Sequence, residues 1–264
     1  MKIVATADVH LHPYRVCSRD GGHDRLMDGL SVLRQSLELA RKHQAVWLMC
    51  GDFKQPKTNW PQEALTGAHE VLRAFGDVTK VMVAGNHDAR GQGGSGLAPF
   101  ADVAHVVHEQ GILELPRGGP VIACFPWDSN LDSSSVQKMV RVADLVAAHA
   151  FLQGIVIGPE DAHLGGKGVP IGRYGAFKVA VFGDIHKGQW RSNGVWTPFP
   201  MNGGIVREAG PWRGEVFYPG SPYQINWGER NDPAKGALVL DLETGEAVLH
   251  PLKAPRFIHI EVED

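Results

Sequence analysis

Aspartate, histidine and asparagine are concentrated in five short blocks that follow one another in order: Asp8-Val9-His10, Gly51-Asp52, Gly85-Asn86-His87-Asp88, His149 and Gly183-Asp184-Ile185-His186. The set mixes carboxylate and amide oxygens with imidazole nitrogens and contains no thiolate. Such donors suit Mn(II), Fe or Zn better than Ca(II), and they argue against a structural zinc site. Asp52, with two carboxylate oxygens, is the best candidate to bridge two ions. Two ions about 3.5–4 Å apart can hold a hydroxide between them and clamp a phosphoryl group for in-line displacement, which is phosphoester hydrolysis. Taken singly, each block has an ordinary explanation as a turn, a strand end or a core histidine. Their ordered conjunction is what points to a site.

Ligands so scattered converge only if strand ends bring them together, and each block does follow a short apolar run. Lys2–Ala7 precedes Asp8, Ala45–Cys50 precedes Gly51-Asp52, and Lys80–Ala84 precedes Gly85. Asp144–Ala148 leads into His149, and Lys178–Phe182 leads into Gly183-Asp184. Unalternated runs of this kind read as strands buried on both faces, as in a parallel sheet covered by helices. In open α/β sheets the functional crevice lies beyond the carboxyl ends of the strands, where all five blocks fall. If extended geometry continues past the first strand, Asp8 and His10 point to the same side and grip one ion.

The connections are helical. Leu26, Leu30, Leu33 and Leu37 recur at helical spacing within Arg25–Lys42. A second helix is expected after Pro61, with Ala64, Leu65, Ala68, Val71 and Leu72 on its apolar face. A third covers about Ser133 to Val142, with serines as candidate N-caps. The Gly-rich tract Gly91–Gly96 reads as a loop bordering the site rather than a phosphate loop. After His186 a loop-rich stretch with several Trp and Arg residues gives way to strand-like runs at Glu215–Tyr218, Gly236–Leu242 and Ala247–Leu249. The last two flank a hairpin turn at Glu243–Glu246, and Phe257–Val262 closes the chain as an alternating strand. The C-terminal third is therefore expected to form a second sheet stacked on the first.

Composition bounds the class. With 264 residues, 43% of them hydrophobic and 21% charged, the chain reads as one α/β domain over 1–264. No apolar stretch is long enough for a bilayer, so no membrane partner and a cytoplasmic location are the default expectations. Cys17, Cys50 and Cys124 are too few and scattered for a disulfide framework, and they read as small core residues. A formal net charge of −3 gives no global attraction for nucleic acid, although bound metal ions and local basic residues would offset it at a site.

The ordered set Asp-x-His, Gly-Asp, Gly-Asn-His-Asp, His and Gly-x-x-His resembles the calcineurin-like metallophosphoesterase superfamily over positions 8 to 186. Within it, Tyr218-Pro219-Gly220-Ser221-Pro222, Trp227-Gly228-Glu229 and the run Lys235–Leu242 resemble the nuclease core of SbcD-type exonucleases. The resemblance implies an α/β fold of two stacked β-sheets flanked by helices, two divalent metal ions with Mn(II) favoured, and DNA as substrate in repair or recombination. It also implies an SbcC-like SMC-type ATPase as a possible partner. By the same resemblance Asp8, His10 and His186 hold the first ion, Asp52 bridges, and Asn86, His149 and Asp184 hold the second. His87 is then the residue that protonates the departing 3′ oxygen, and Asp88 orients a neighbouring imidazole.

Three departures from that pattern matter. Asp184 stands where relatives usually have His, which tilts the site toward harder ions such as Mn(II) or Mg(II). Residues 187 to 214 form a longer insertion than expected. Its Lys187, Trp190 and Arg191, together with Tyr14 and Arg15, are candidate substrate contacts, and the plainer expectation for the insertion is a surface hairpin. The chain stops near Pro255-Arg256-Phe257, roughly where larger relatives continue into a capping domain and an ATPase-binding segment, so the expectation is either a minimal nuclease or a partner that docks elsewhere.

Overall fold

The computed structural model describes residues 1–13, 15–16, 23–57, 59–88, 95–116, 118–131, 134–157, 162–163, 168–232 and 234–257. Two seven-stranded sheets lie face to face. The first runs, in spatial order, Gly204–Arg207, Ala247–Pro251, Gly236–Asp241, Lys2–Thr6, Val46–Cys50, Lys80–Val83 and His105–Val107. The second runs Val195–Pro198, Gln189–Ser192, Glu215–Tyr218, Val179–Gly183, Leu145–His149, Val121–Phe125 and Gly111–Glu114.

Strand periodicity explains the layering. Ile3, Leu48, Cys50, Val81 and Val83 point between the sheets, where they meet Val179, Val181, Phe217 and Leu238. The alternate residues Val4, Trp47, Met49 and Met82 face outward and pack with Leu26, Leu33 and Leu37 of the helix Arg25–His43 and Ala64, Ala68 and Leu72 of the helix Gln62–Ala74. On the far side Ala180, Phe182, Val216 and Tyr218 pack under Val136 and Val140 of the helix Ser134–Val142. Both faces of both sheets are thus covered, which is why the strands lack a polar alternation. Pro61 takes the N-cap position of its helix, one residue before the first turn. Cys50 and Cys124 are buried free thiols, as expected; Cys17 lies outside the described residues.

The assignment of strands to sheets differs from expectation. The C-terminal hairpin forms with Leu240 opposite Ala247, but Gly236–Asp241 pairs antiparallel with the N-terminal strand, Val4 opposite Val239. It therefore extends the first sheet. The second sheet is built from the middle of the chain, on the parallel strands ending at Phe125, His149 and Gly183. An apolar run is equally buried in either sheet, so hydrophobicity alone does not say which one it joins. Phe257 is not in a strand, and the rest of the expected closing strand lies outside the described residues, as do residues 91–94 of the Gly-rich tract. Among the described residues no helix is long and apolar enough to cross a membrane.

Candidate metal centre

Splitting the strands between two sheets splits the blocks as well. Asp8-Val9-His10, Gly51-Asp52 and Gly85–Asp88 hang from the carboxyl ends of the first sheet, and His149 and Gly183–His186 from those of the second. The parallel register of Lys2–Thr6 with Val46–Cys50 continues past the strand ends, where Asp8 N donates to Gly51 O and His10 N to Asp52 O, both at 2.9 Å. That continuation holds the first two blocks side by side.

The backbone there is not extended. Asp8, His10, Asp52 and Asp184 all have left-handed φ, at 53°, 50°, 57° and 98°. Asp and His adopt this region more readily than most residues, yet each costs on the order of 1–3 kcal/mol unless its surroundings impose it. Asp8 and His10 do converge with His186, through successive left-handed turns rather than the strand alternation expected for them. Gly51 admits the close approach of the sheets. Its φ is +86°, and a Cβ there would collide with the His149 ring, whose Nδ1 is 2.9 Å from Cys50 O.

The cluster has a buried floor and an open side. Side chains of His149, His10 and Asp52 are 0%, 4% and 5% exposed, whereas Asp184, His87 and His186 are 19%, 20% and 28% exposed. His10 Nε2 lies 3.1 Å from His186 Nε2 and 3.7 Å from Asp52 Oδ2. His149 Nε2 lies 3.5 Å from Asp52 Oδ1 and 3.6 Å from Asp184 Oδ1. Three sets of donor atoms, Asp8/His10/His186, His10/Asp52/His87 and Asp8/Asp52/His149, each fall within 4.8 Å of one another. Asp52 and its neighbours on either side therefore offer two adjoining pockets of ligands.

The donors fit cations. Asn86 Oδ1 and His149 Nε2 are buried without a hydrogen-bond partner, an expensive state unless something else satisfies them. Burial pushes the Asp8 carboxyl up to about 7, with nearby Asp52 adding to the rise and His186 and His149 opposing it. Burial and the neighbouring histidines hold His10 well below its ordinary value, the neutral state a ligand needs. Burial works against charge on His149, but Asp184, Asp52 and Asp8 outweigh it and raise the imidazole to about 10. Without ions Asp8 and His149 keep protons that the unfolded chain would release.

Asp8 carries the sign of the resulting pH dependence. Its folded pKa lies above the ordinary 3.8, so the folded metal-free chain holds an extra proton as pH rises from about 4 to about 7, and loses stability over that window. A cation must displace this proton, so binding strengthens toward pH 7. The rise in melting temperature given by a fixed Mn(II) concentration is expected to be larger at about pH 7.5 than at about pH 5. Equal rises at the two pH values would show that Asp8 does not take part.

Asp184 lies within reach of the second pocket, and its amide donates to Asp8 Oδ1 at 3.1 Å. It is absent from all three donor sets, although its carboxylate faces His149. Replacement by an imidazole is expected to raise affinity for Zn(II) relative to Mn(II). An Asp184→His variant with unchanged affinity for both ions, measured by calorimetry, would mean that residue 184 does not coordinate.

Asp88 has a different role from the one expected. Its carboxylate accepts the backbone N–H groups of Phe53, Lys54 and Gly85, at 3.1, 3.3 and 2.9 Å, and has no imidazole partner among the described residues. It ties the Asp52 loop to the Asn86–His87 loop. Burial, followed by Asp52, raises it to about 6. His87 N donates to Asp52 Oδ1 at 2.8 Å, and His87 Nδ1 is hydrogen-bonded to Gln55 O.

The ledge expected along the insertion takes the form of a packed hairpin, Gln189–Ser192 against Val195–Pro198. Trp190 stacks on Phe217 at 5.9 Å, Lys187 is buried and Arg191 is half-buried, because the hairpin is the continuation of the second sheet. Tyr14 lies outside the described residues, and Arg15 is described only as backbone in a short strand.

Two residues near the site went unassigned from sequence. Trp127, 37% exposed, lies edge-on to the His149 ring at 6.2 Å. Its position two residues beyond the strand Val121–Phe125 was the available signal, since that strand also ends at the crevice. Glu229 is buried with Oε1 2.9 Å from His186 Nδ1. Burial opposes its charge, but the His186 hydrogen bond and Lys235 lower it to about 2.

Comparison with known proteins agrees with this geometry. No curated protein matches the sequence. Among solved structures the chain is similar to the purple acid phosphatase PPD1 from yellow lupin (Lupinus luteus) seeds, with 11% identity, TM-score 0.50 and coverage of 90% of this chain and 48% of that one. It is also similar to the nuclease MPE of Pseudomonas putida, at 14% identity, TM-score 0.38 and coverage of 92% and 86%. A 5′-nucleotidase precursor from Thermus thermophilus follows at 15% identity, TM-score 0.44 and coverage of 97% and 56%. The chain spans about half the length of the lupin protein. The lupin likeness is one of fold, the two-sheet sandwich of metallophosphoesterases. A family model described as Calcineurin-like phosphoesterase matches residues 1–150, which hold Asp8, His10, Asp52, Asn86, His87 and His149, and the chain belongs to that family of metal-dependent phosphoester hydrolases.

Proposed function

We propose that the protein is a DNA nuclease that hydrolyses phosphodiesters with two divalent ions, Mn(II) by preference. When bound, the ions would activate water and offset phosphate charge. Asp8, His10 and His186 would hold one, Asn86, His149 and Asp184 the other, and Asp52 both. The observation that carries the nuclease reading is the location of Ser221, Glu229 and Lys235. These residues, from the segments that resemble SbcD-type nucleases, all hydrogen-bond to His186 or to its backbone.

His87 supplies the proton in this reading. Its Nδ1 is engaged by the Gln55 carbonyl, so Nε2 is the nitrogen presented to the cluster, 4.0 Å from Asp52 Oδ2. An imidazole protonated there can pass that proton to the departing 3′ oxygen. The exposed Trp127 indole beside His149 offers a stacking face for an unpaired base. An SMC-type ATPase is the partner class this reading suggests.

The runner-up is a phosphodiesterase or phosphatase for small molecules. It is favoured by the packing of Trp190 and the burial of Lys187, which remove two of the expected contacts to a long polyanion. The two readings separate when the protein and Mn(II) are given linear and supercoiled double-stranded DNA, a cyclic nucleotide and p-nitrophenyl phosphate esters. Cleavage of DNA is the expected result. Turnover confined to the small esters would replace it with the runner-up, and silence with every metal would point to a non-catalytic scaffold.

A further inference from the structure

Four imidazoles point Nε2 toward the cluster, and what holds Nδ1 differs for each. His149 Nδ1 meets the Cys50 carbonyl, His87 Nδ1 meets the Gln55 carbonyl, and His10 Nδ1 is buried without a hydrogen-bond partner. His186 alone among them meets a carboxylate, Glu229 Oε1, at 2.9 Å.

That carboxylate is itself held on every side. Oε1 accepts Asn226 Nδ2 at 3.0 Å, while Oε2 accepts Ser221 Oγ at 2.9 Å and Ile225 N at 3.2 Å and pairs with Lys235 Nζ at 2.8 Å. Lys235 also pairs with Asp232 at 2.8 Å and donates to the His186 carbonyl at 2.7 Å. Ser221 N donates to the same carbonyl at 3.1 Å. Buried Ser221, Glu229 and Lys235 together therefore grip both the backbone and the ring of His186. Two carboxylates share one ammonium there, so the surplus negative charge faces the imidazole.

We infer that Glu229 is a positioning residue for the ion at Asp8, His10 and His186: clamped by Lys235 and Ser221, it fixes the His186 proton on Nδ1 and turns the Nε2 lone pair toward the ion. A carboxylate behind a ligating imidazole orients the ring and strengthens it as a donor, and its loss costs 10–100-fold in metal affinity in comparable sites, roughly the loss expected here. The inference rests on the metal reading of the site and not on the identity of the substrate.

The test is Mn(II) titration of the metal-free protein followed by electron paramagnetic resonance, which resolves the two binding steps without any turnover. Glu229→Ala is expected to weaken one step by about 10–100-fold and leave the other unchanged. Glu229→Gln keeps an acceptor for the Nδ1 proton but removes the charge, and its loss should fall between wild type and Glu229→Ala. Thermal unfolding of each metal-free variant reports the fold independently. Unchanged affinity at both steps, or an equal loss at both, overturns the inference, since an equal loss marks a merely structural residue. If Glu229→Ala does not fold, Glu229→Gln decides: a selective loss at one step upholds the inference and wild-type affinity rejects it. Failure of the wild type itself to bind Mn(II) would instead remove the metal reading, and failure to cut DNA would leave this inference standing.

Discussion

His87→Ala is expected to lower turnover of an unactivated phosphodiester by about 10²–10⁴-fold while leaving Mn(II) binding as in the wild type. His87 sits on the open side of the cluster, with its ring oriented through Nδ1 by the Gln55 carbonyl and its amide anchored to Asp52 Oδ1. Those anchors leave Nε2 as the nitrogen turned to the cluster, as the proposed acid requires. The loss should shrink for a p-nitrophenyl ester, whose leaving group departs without a proton. The atoms of His10, Asp52 and His87 are also close enough to share an ion. The variant separates the two roles: a fall in Mn(II) affinity alongside turnover would make His87 a ligand and leave the acid to be found elsewhere.

Asp52→Asn is expected to lower turnover by on the order of 10³ or more, because it removes charge from a side chain that faces His10 and His87 on one side and His149 on the other. Its Oδ2 faces His10 and His87, and its Oδ1 faces His149 and accepts the His87 amide. The amide side chain can keep the hydrogen bond to His87 N, so the loop should survive while the anionic bridge does not. Equilibrium dialysis against Mn(II) reads the cause directly. Retention of both ions at wild-type affinity would mean that Asp52 does not bridge.

The layers and the crevice were legible in the sequence because they depend on local pattern. Runs such as Val46–Cys50 and Val179–Gly183 have no polar face, and the turn residues after them mark the carboxyl ends where the blocks sit. What was not legible depends on contacts between distant segments. Nothing in the run Gly236–Asp241 indicates that it pairs with Lys2–Thr6 rather than with the second sheet. The left-handed turns at Asp8 and His10 are imposed by hydrogen bonds to Gly51 and Asp52, about forty residues away, and extended geometry was the default without them. Asp88 was given an imidazole partner by resemblance alone; its carboxylate instead accepts the amides of Phe53 and Lys54, some 35 residues upstream, and of Gly85 in its own loop. Glu229 carried a resemblance but no chemistry of its own until the fold set it behind His186.

The most direct measurement is a crystal of the protein grown with Mn(II) and examined by anomalous scattering at the manganese edge. Two peaks about 3.5–4 Å apart are expected. Asp52 should lie between them, with Asp8, His10 and His186 around one and Asn86 and His149 around the other. A single peak, or manganese bound away from Asp52, would contradict a two-metal centre at the meeting point of the two sheets.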